Sequence, residues 1–306
     1  MDNYCIELNH VTKRFGNFTA VNDISLQLTP GKVYGIVGPN GAGKSTTMSL
    51  IMGTLMPTSG NGTVMGYPIG STEALAHLGY SPEFTSFYND MSCVEYLWYM
   101  ATLAGLSDVE AAKRANELID RFELREHANK KVCKFSTGMK KKVSLAQAMI
   151  HNPSILLLDE PTANLDPTSR MEILDIVRKM VNQDKQTVLI SSHVLTELET
   201  VIDGVIMINH GVIVLNEDIE TAQRKFNNGI VVFSSSNNQL VLEKLADKYS
   251  YTVDNNEIKF SCDETDQLKR ELIKIVYEND LMINKIDQER LSLDSLYKNA
   301  LEGGQQ

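Results

Sequence analysis

The sequence predicts an α/β molecule of two parts: a larger α/β domain over residues 1–225 and a small α+β domain over residues 226–306. Three observations carry this. Strand-like and helix-like segments alternate through the first two-thirds of the chain. A short apolar run, Val33–Val37, leads directly into a glycine-rich turn and a helix start, as a buried parallel strand does. After the breaker Asn227-Asn228-Gly229, the segment order becomes β-α-β-β-α-β, the split arrangement of ferredoxin-like folds. With 306 residues, 42% hydrophobic and 22% charged, the chain can bury a real core, which excludes collagen-like and wholly disordered classes.

Each element has a local reason. Cys5–Leu8 and Ile24–Leu28 alternate apolar and polar residues, as half-buried antiparallel strands do. Ile155–Leu158 is a buried run ending in two acids, and Val188–Ser191 is another buried run. Val205–Asn209 and Val212–Leu215 flank His210-Gly211 and read as a hairpin. Residues 84–150 form a helical subdomain, its helices concentrated after 92. Ser92-Cys93-Val94-Glu95 and Ser107-Asp108-Val109-Glu110 are capping boxes. Asp166-Pro167 starts a further helix, whose apolar stripe is Ile173, Leu174, Val177, Met180 and Val181. In the small domain, strands are expected at 230–234, 250–254, 257–261 and 281–287, with helices at 239–249 and 265–278. A last helix at 292–301 precedes the tail Gly303-Gly304-Gln305-Gln306.

Charge and cysteine content narrow the function classes. The chain has 29 basic and 39 acidic residues, a net −10, so a general nucleic-acid partner is not expected. The lysines at 130–142 are a local exception. Four scattered cysteines form no C-x-x-C pair, which disfavours zinc and dithiol chemistry and suits a reducing compartment. The N-terminus lacks the basic and apolar regions of a signal peptide, and Tyr96–Leu106 is too short to span a bilayer.

Gly38-Pro39-Asn40-Gly41-Ala42-Gly43-Lys44-Ser45 fits G-x-x-x-x-G-K-[ST], a phosphate-binding loop between a strand and a helix. Glycines let backbone N–H groups turn around phosphate oxygens where a Cβ would collide, and the helix start adds partial positive charge. Lys44 can reach the β- and γ-phosphates, and Ser45 can hold Mg²⁺. Asp159, at the end of Ile155–Leu158, is expected to hold Mg²⁺ through water, and Glu160 to polarise the attacking water.

These motifs, with others downstream, resemble the ABC-type ATPases. Lys134-Phe135-Ser136-Thr137-Gly138-Met139-Lys140-Lys141-Lys142 resembles the family's signature, L-S-G-G-Q followed by basic residues. Pro161–Pro167 resembles its D-loop, Ser191-Ser192-His193 its switch histidine, and Tyr80-Ser81-Pro82-Glu83 its Q-loop. Phe15, in Lys13-Arg14-Phe15-Gly16, sits where the family stacks an aromatic ring on adenine. The resemblance covers about residues 1–222. It implies a mixed-sheet core with an antiparallel β subdomain and a helical subdomain, and a site that binds ATP and Mg²⁺. Nucleotide contacts are implied at Phe15, Gly38, Asn40, Gly41, Ala42, Gly43, Lys44, Ser45, Thr46, Glu83, Ser136, Gly138 and Asp166. Metal contacts are implied at Ser45, Asp159 and Glu83, and catalytic roles at Lys44, Glu160 and His193.

The resemblance further implies a second ATP-binding subunit facing the first head to tail, and transmembrane permease subunits that would hold the chain at the inner face of the cell membrane. The loop GPNGAGKST and the segment Ser292–Tyr297 resemble bacterial ABC-2-like exporters of drugs and peptides. The alternative is a soluble ATPase acting on ribosomes or DNA, and an importer subunit is a third reading. Four positions depart from the family pattern: Glu83 replaces glutamine, Thr137 replaces glycine, Met139 replaces glutamine, and Asn164 stands where small residues are usual. Tyr96–Met100 packs apolar groups around a whole helical turn, as either helical core or a docking face for the permease.

Overall fold

The computed structural model describes residues 4–226, 229–262, 265–288 and 293–303. The breaker at Asn227-Asn228, Ser292 and the tail from Gly304 lie outside the described residues. Two compact units divide between Ile219 and Glu220.

The strands of the first unit are β1 (Ile6–Phe15), β2 (Phe18–Leu28), β3 (Val33–Val37), β4 (Ser59–Val64), β5 (Tyr67–Pro68), β6 (Leu78–Ser81), β7 (Ile155–Leu158), β8 (Thr187–Ser192), β9 (Gly204–Asn209) and β10 (Val212–Asp218). They form two sheets. The smaller, in the order β2-β1-β4-β5, is antiparallel throughout. The larger runs β10-β9-β3-β8-β7-β6; β9 to β6 are parallel, and β10 closes the edge as an antiparallel hairpin with β9. β3, β7 and β8 are buried at every residue, which explains why they are apolar runs and not alternating ones. The hydrophobic core takes Ile6, Leu8 and Leu26 from the antiparallel sheet, Ile36, Leu157, Leu189 and Ile206 from the parallel one, and Met48, Leu50 and Ile51 from a helix.

That helix is α1 (Lys44–Ile51), which follows β3. α2 (Thr72–Ala76) leads into β6. The helical subdomain holds α3 (Cys93–Leu103), α4 (Asp108–Arg121) and α5 (Thr137–Ala148). Both capping boxes form: Ser92 and Glu95 start α3, and Ser107 and Glu110 start α4. α6 (Pro167–Asp184) carries Asp166 as N-cap, accepting from the Ser169 N–H, and buries all five expected stripe residues. α7 (Leu195–Leu198) is the last helix wholly within the first unit, and α8 (Ile219–Phe226) begins at the division between the two.

The second unit has β11 (Ile230–Ser235), α9 (Asn238–Leu245), β12 (Ser250–Asp254), β13 (Glu257–Ser261), α10 (Thr265–Glu278), β14 (Ile283–Gln288) and α11 (Leu293–Gly303). Its sheet is antiparallel in the order β12-β13-β11-β14, the ferredoxin-like topology. Val231 and Phe233 on β11, and Ile258 and Phe260 on β13, alternate inward against Val241, Leu245, Leu268 and Leu272 of the helices. α9 ends at Leu245 and not at the expected 249. There the N–H groups of Lys248 and Tyr249 both bond back to the Leu245 carbonyl, closing the turn into β12.

Candidate active site

The parallel strands bring the site together. Gly38, Asp159 and His193 each lie just past the carboxyl end of β3, β7 or β8, and these three strands are hydrogen-bonded neighbours. Ligands in open α/β sheets bind at that edge.

The phosphate loop is built for close backbone approach. A Cβ on Gly38 would stand 2.1 Å from the Ile208 carbonyl oxygen, and one on Gly43 would stand 2.7 Å from that of Ala20. Gly43, at φ 110°, is the N-cap of α1 and offers no side chain to its first N–H groups. By contrast α3, α4, α5 and α6 each start on a serine or aspartate that caps them. An uncapped helix start of this kind is suited to binding an anion on its first amides. Asn40–Thr46 line a cleft of about 230 Å³ with Phe18, Ala20, Glu83 and Glu160.

Lys44 is only 6% exposed. Its Nζ donates to the carbonyls of Gly38 (2.8 Å) and Pro39 (3.3 Å) and stands 3.7 Å from Glu160 Oε1. The other carboxylate oxygen of Glu160 meets His193 Nδ1 at 2.9 Å. Glu160 thus lies between a lysine and the histidine of the next strand, its backbone held at φ 45°. Asp159 Oδ1 accepts from Ser45 Oγ (3.1 Å) and from Ser191 Oγ (2.6 Å). Ser191 Oγ also accepts the Glu160 N–H at 2.8 Å, so one hydroxyl aligns both acids. Tyr80 on β6 points its phenol at Asp159; burial, then that carboxylate, push its pKa up to about 12.

Ser136 is the N-cap of α5, accepting the Met139 N–H at 3.3 Å, and Gly138 packs against Ser169 of α6. Ser136 and Gly138 line a second cavity, separate from the phosphate loop, with Met139, Lys142, Ser169, Glu172 and Ile173. Asp166 also lies at this end of α6, bonded to Ser169. Phe15 is exposed at the β1–β2 turn, with Lys13 Nζ over its ring at 5.2 Å, and it is Phe18, its cross-strand partner, that lines the cleft. Sequence reading gave no site role to Phe18; Ser191, Tyr80 and Lys141 lay inside quoted motifs without a role of their own. Only Ser191 carried a signal, as the hydroxyl two residues before the histidine. In the helical subdomain Tyr96 and Leu97 are buried, whereas Trp98 is 37% exposed and Phe84, beside Glu83, is 75% exposed.

A glycine-rich anion loop, an acid pair on the neighbouring strand and a histidine beyond it define a P-loop nucleotide hydrolase. The family model described as ABC transporter matches residues 21–163. The chain is 39% identical over 208 residues to the linearmycin resistance ATP-binding protein of Bacillus subtilis, 67% of each chain. It is 31% identical over 304 residues to the bacitracin transport ATP-binding protein of Bacillus licheniformis, 98% of each. A solved dimeric ATP-binding cassette, in a post-hydrolysis state bound to ADP and Pi, superposes with a TM-score of 0.63 at 25% identity, over 70% of this chain and 98% of that one. The chain belongs to the ABC transporter ATP-binding family. It is an ATP-binding, ATP-hydrolysing transporter subunit, of a class that works with membrane permeases, and action on ribosomes or DNA is not favoured. Among the described residues no helix is long and apolar enough to cross a membrane.

Proposed function

We propose that this chain powers an exporter of a drug-like molecule or peptide, hydrolysing MgATP at two sites shared between two such subunits. The observation that carries the chemistry is the joined cluster Lys44, Ser45, Asp159, Glu160, Ser191 and His193 at the open end of α1. The export reading rests on relatives whose names concern linearmycin resistance and bacitracin transport, the latter matched along nearly the whole chain.

In this reading the loop amides and Lys44 neutralise phosphate charge, and phosphoryl transfer to water asks for positioning more than covalent chemistry. The donors fit magnesium. Ser45 Oγ and Asp159 Oδ1 stand together, and no cluster of three or more His, Cys, Asp or Glu exists among the described residues. One carboxylate and a hydroxyl, with remaining positions left to phosphate and water, is a magnesium set and not a zinc or calcium cage. Glu83, on the same cleft, adds a carboxylate. The ion would supply charge neutralisation on the phosphates. Glu160 takes the proton of the attacking water, and His193, hydrogen-bonded to Glu160, meets the γ-phosphate. Ser136 and Gly138 face the nucleotide of the partner subunit, with Asp166 beside them. Phe15 or its neighbour Phe18 takes the adenine ring. The permease docks on the surface around Phe84 and Trp98, which places the chain on the cytoplasmic face of the membrane.

Glu160→Gln tests the base. The variant should bind ATP with the parent's affinity, hydrolyse it about 10²–10⁴-fold more slowly, and accumulate as an ATP-bound dimer on a sizing column. Near-normal turnover would remove the assignment.

A further inference from the structure

Lys141, on α5, is 7% exposed, and it makes no ion pair with a carboxylate among the described residues. Its Nζ instead donates to three backbone carbonyls: Glu83 at 2.6 Å, Glu160 at 3.3 Å and Pro82 at 3.4 Å. An ammonium has three N–H donors and no acceptor, so these carbonyls can use all of them. Burial pushes its pKa down, while the nearby carboxylates of Glu83, Asp159 and Glu160 act against that fall. Burying a lysine to bind carbonyls is costly unless every donor is used.

The acceptors come from two places that matter. Pro82 and Glu83 belong to the loop that leads to the exposed Phe84. The same loop is tied to α5 a turn further on: Ser144 Oγ meets Ser81 Oγ at 2.8 Å and Thr85 Oγ1 at 2.7 Å. The third acceptor is the carbonyl of Glu160, whose φ of 45° is a conformation non-glycine residues rarely hold without support. The Glu160 N–H is fixed by Ser191, so Lys141 completes the clamp on that residue's backbone.

We infer that Lys141 is a positioning residue, which holds the Glu160 backbone in its left-handed conformation and ties it to the loop at Pro82-Glu83, so that displacement of that loop alters the aim of the Glu160 carboxylate. This rests on the reading of Glu160 as the base. The clamp acts on the chemical step and not on nucleotide binding, because Lys141 does not line the phosphate cleft.

Steady-state ATPase kinetics on the purified full-length chain test it, comparing parent, Lys141→Met, Lys141→Gln and Glu160→Gln, with calorimetric ATP affinity and thermal melts in parallel. Lys141→Met removes the donors at similar length. It should lower kcat about 10–100-fold, as a misplaced reacting group does, with KM and Kd for ATP within about twofold of the parent. Lys141→Gln, with two N–H donors, should fall between. A kcat within about twofold of the parent in folded Lys141→Met overturns the proposal. So does a loss accounted for by the unfolded fraction alone, or a raised KM at unchanged kcat. If Lys141→Met does not fold, a parent-like kcat in Lys141→Gln overturns it. Glu160→Gln separates the two ideas: near-normal turnover there removes the base assignment whatever the Lys141 variants do.

Discussion

Lys44 and Lys141 are both buried lysines of one site, and their surroundings give them opposite work. Lys44 lines the phosphate cleft, beside Glu160 and bonded to the loop's own carbonyls; Lys141 stands behind it, spending its donors on the protein. Lys44→Ala should therefore weaken ATP binding. A charge-assisted contact is worth about 1.5–3 kcal/mol, roughly a 10- to 150-fold rise in Kd, and calorimetry showing less than a threefold change would contradict this role. The motif made Lys44 legible, because lysine after a glycine turn has one dominant use. Lys141 is one of three lysines read together as the basic residues after the signature, and only the fold shows which of them is buried. Phe18 was hidden likewise: two phenylalanines flank one turn, and choosing between them needs the register of β1 against β2. His151 supplies a pH test at this scale. Burial, with help from Arg114, holds its imidazole below the usual 6.5, opposed by its contact with the Leu78 carbonyl at 3.0 Å. The unfolded chain then binds a proton that the folded chain resists, so this stability is present above pH 6.5 and falls as pH drops through 6.5 toward the lower folded value. Between pH 7.5 and 5.5 the Tm of the parent should drop further than that of His151→Gln; equal drops would assign the loss to other groups.

At the scale of elements, α5 joins two functions at its N-cap. Ser136 caps the helix and, on our reading, meets the partner's nucleotide. The two roles separate by substitution. Ser136→Ala should lower stability by about 1 kcal/mol, the ordinary value of a lost cap. Ser136→Asp keeps a capping oxygen, so its melt should match the parent, while its charge facing the partner's phosphates should abolish dimer closure and turnover. Ser136→Asp that hydrolyses ATP like the parent would sink the shared site. Elements with strong local grammar were readable. Capping boxes fixed the starts of α3 and α4, and the Asp-Pro pair that of α6, because these interactions span only three or four residues. β4 and β6 were not, since SGNGTV and LGYS lack the β-branched density that marks strands. In β6 the reason is packing. A Cβ on Gly79 would meet the Ala148 carbonyl oxygen at 2.1 Å, so the strand gives up propensity to let the end of α5 approach.

At the scale of the molecule, the order of the second unit was legible because its strands and helices alternate between clear breakers, whereas the spatial order β12-β13-β11-β14 is a property of pairings distant in sequence. The described residues that line the phosphate cleft all lie between Phe18 and Glu160, and the second unit has a core of its own around Val231, Phe233, Ile258, Phe260 and Leu268. The first unit likewise closes on itself before the division. Asp218 accepts from Lys32, and the Ile219 N–H bonds the Asp203 carbonyl, so the last residue of β10 and the residue after it are both tied down. We therefore expect a chain ending at Ile219 to fold and to bind MgATP within about threefold of the full-length Kd, a difference of roughly 0.7 kcal/mol. The match to the bacitracin transport relative extends through the second unit as well, over 98% of its length; for that unit we propose a role in regulation or subunit pairing. Removing it should change dimerisation without nucleotide, or the response to a permease, read by sedimentation and by ATPase stimulation in reconstituted membranes. Calorimetry on the two chains decides the first claim: a truncated protein that melts cooperatively yet fails to bind ATP would show that the nucleotide site needs both units.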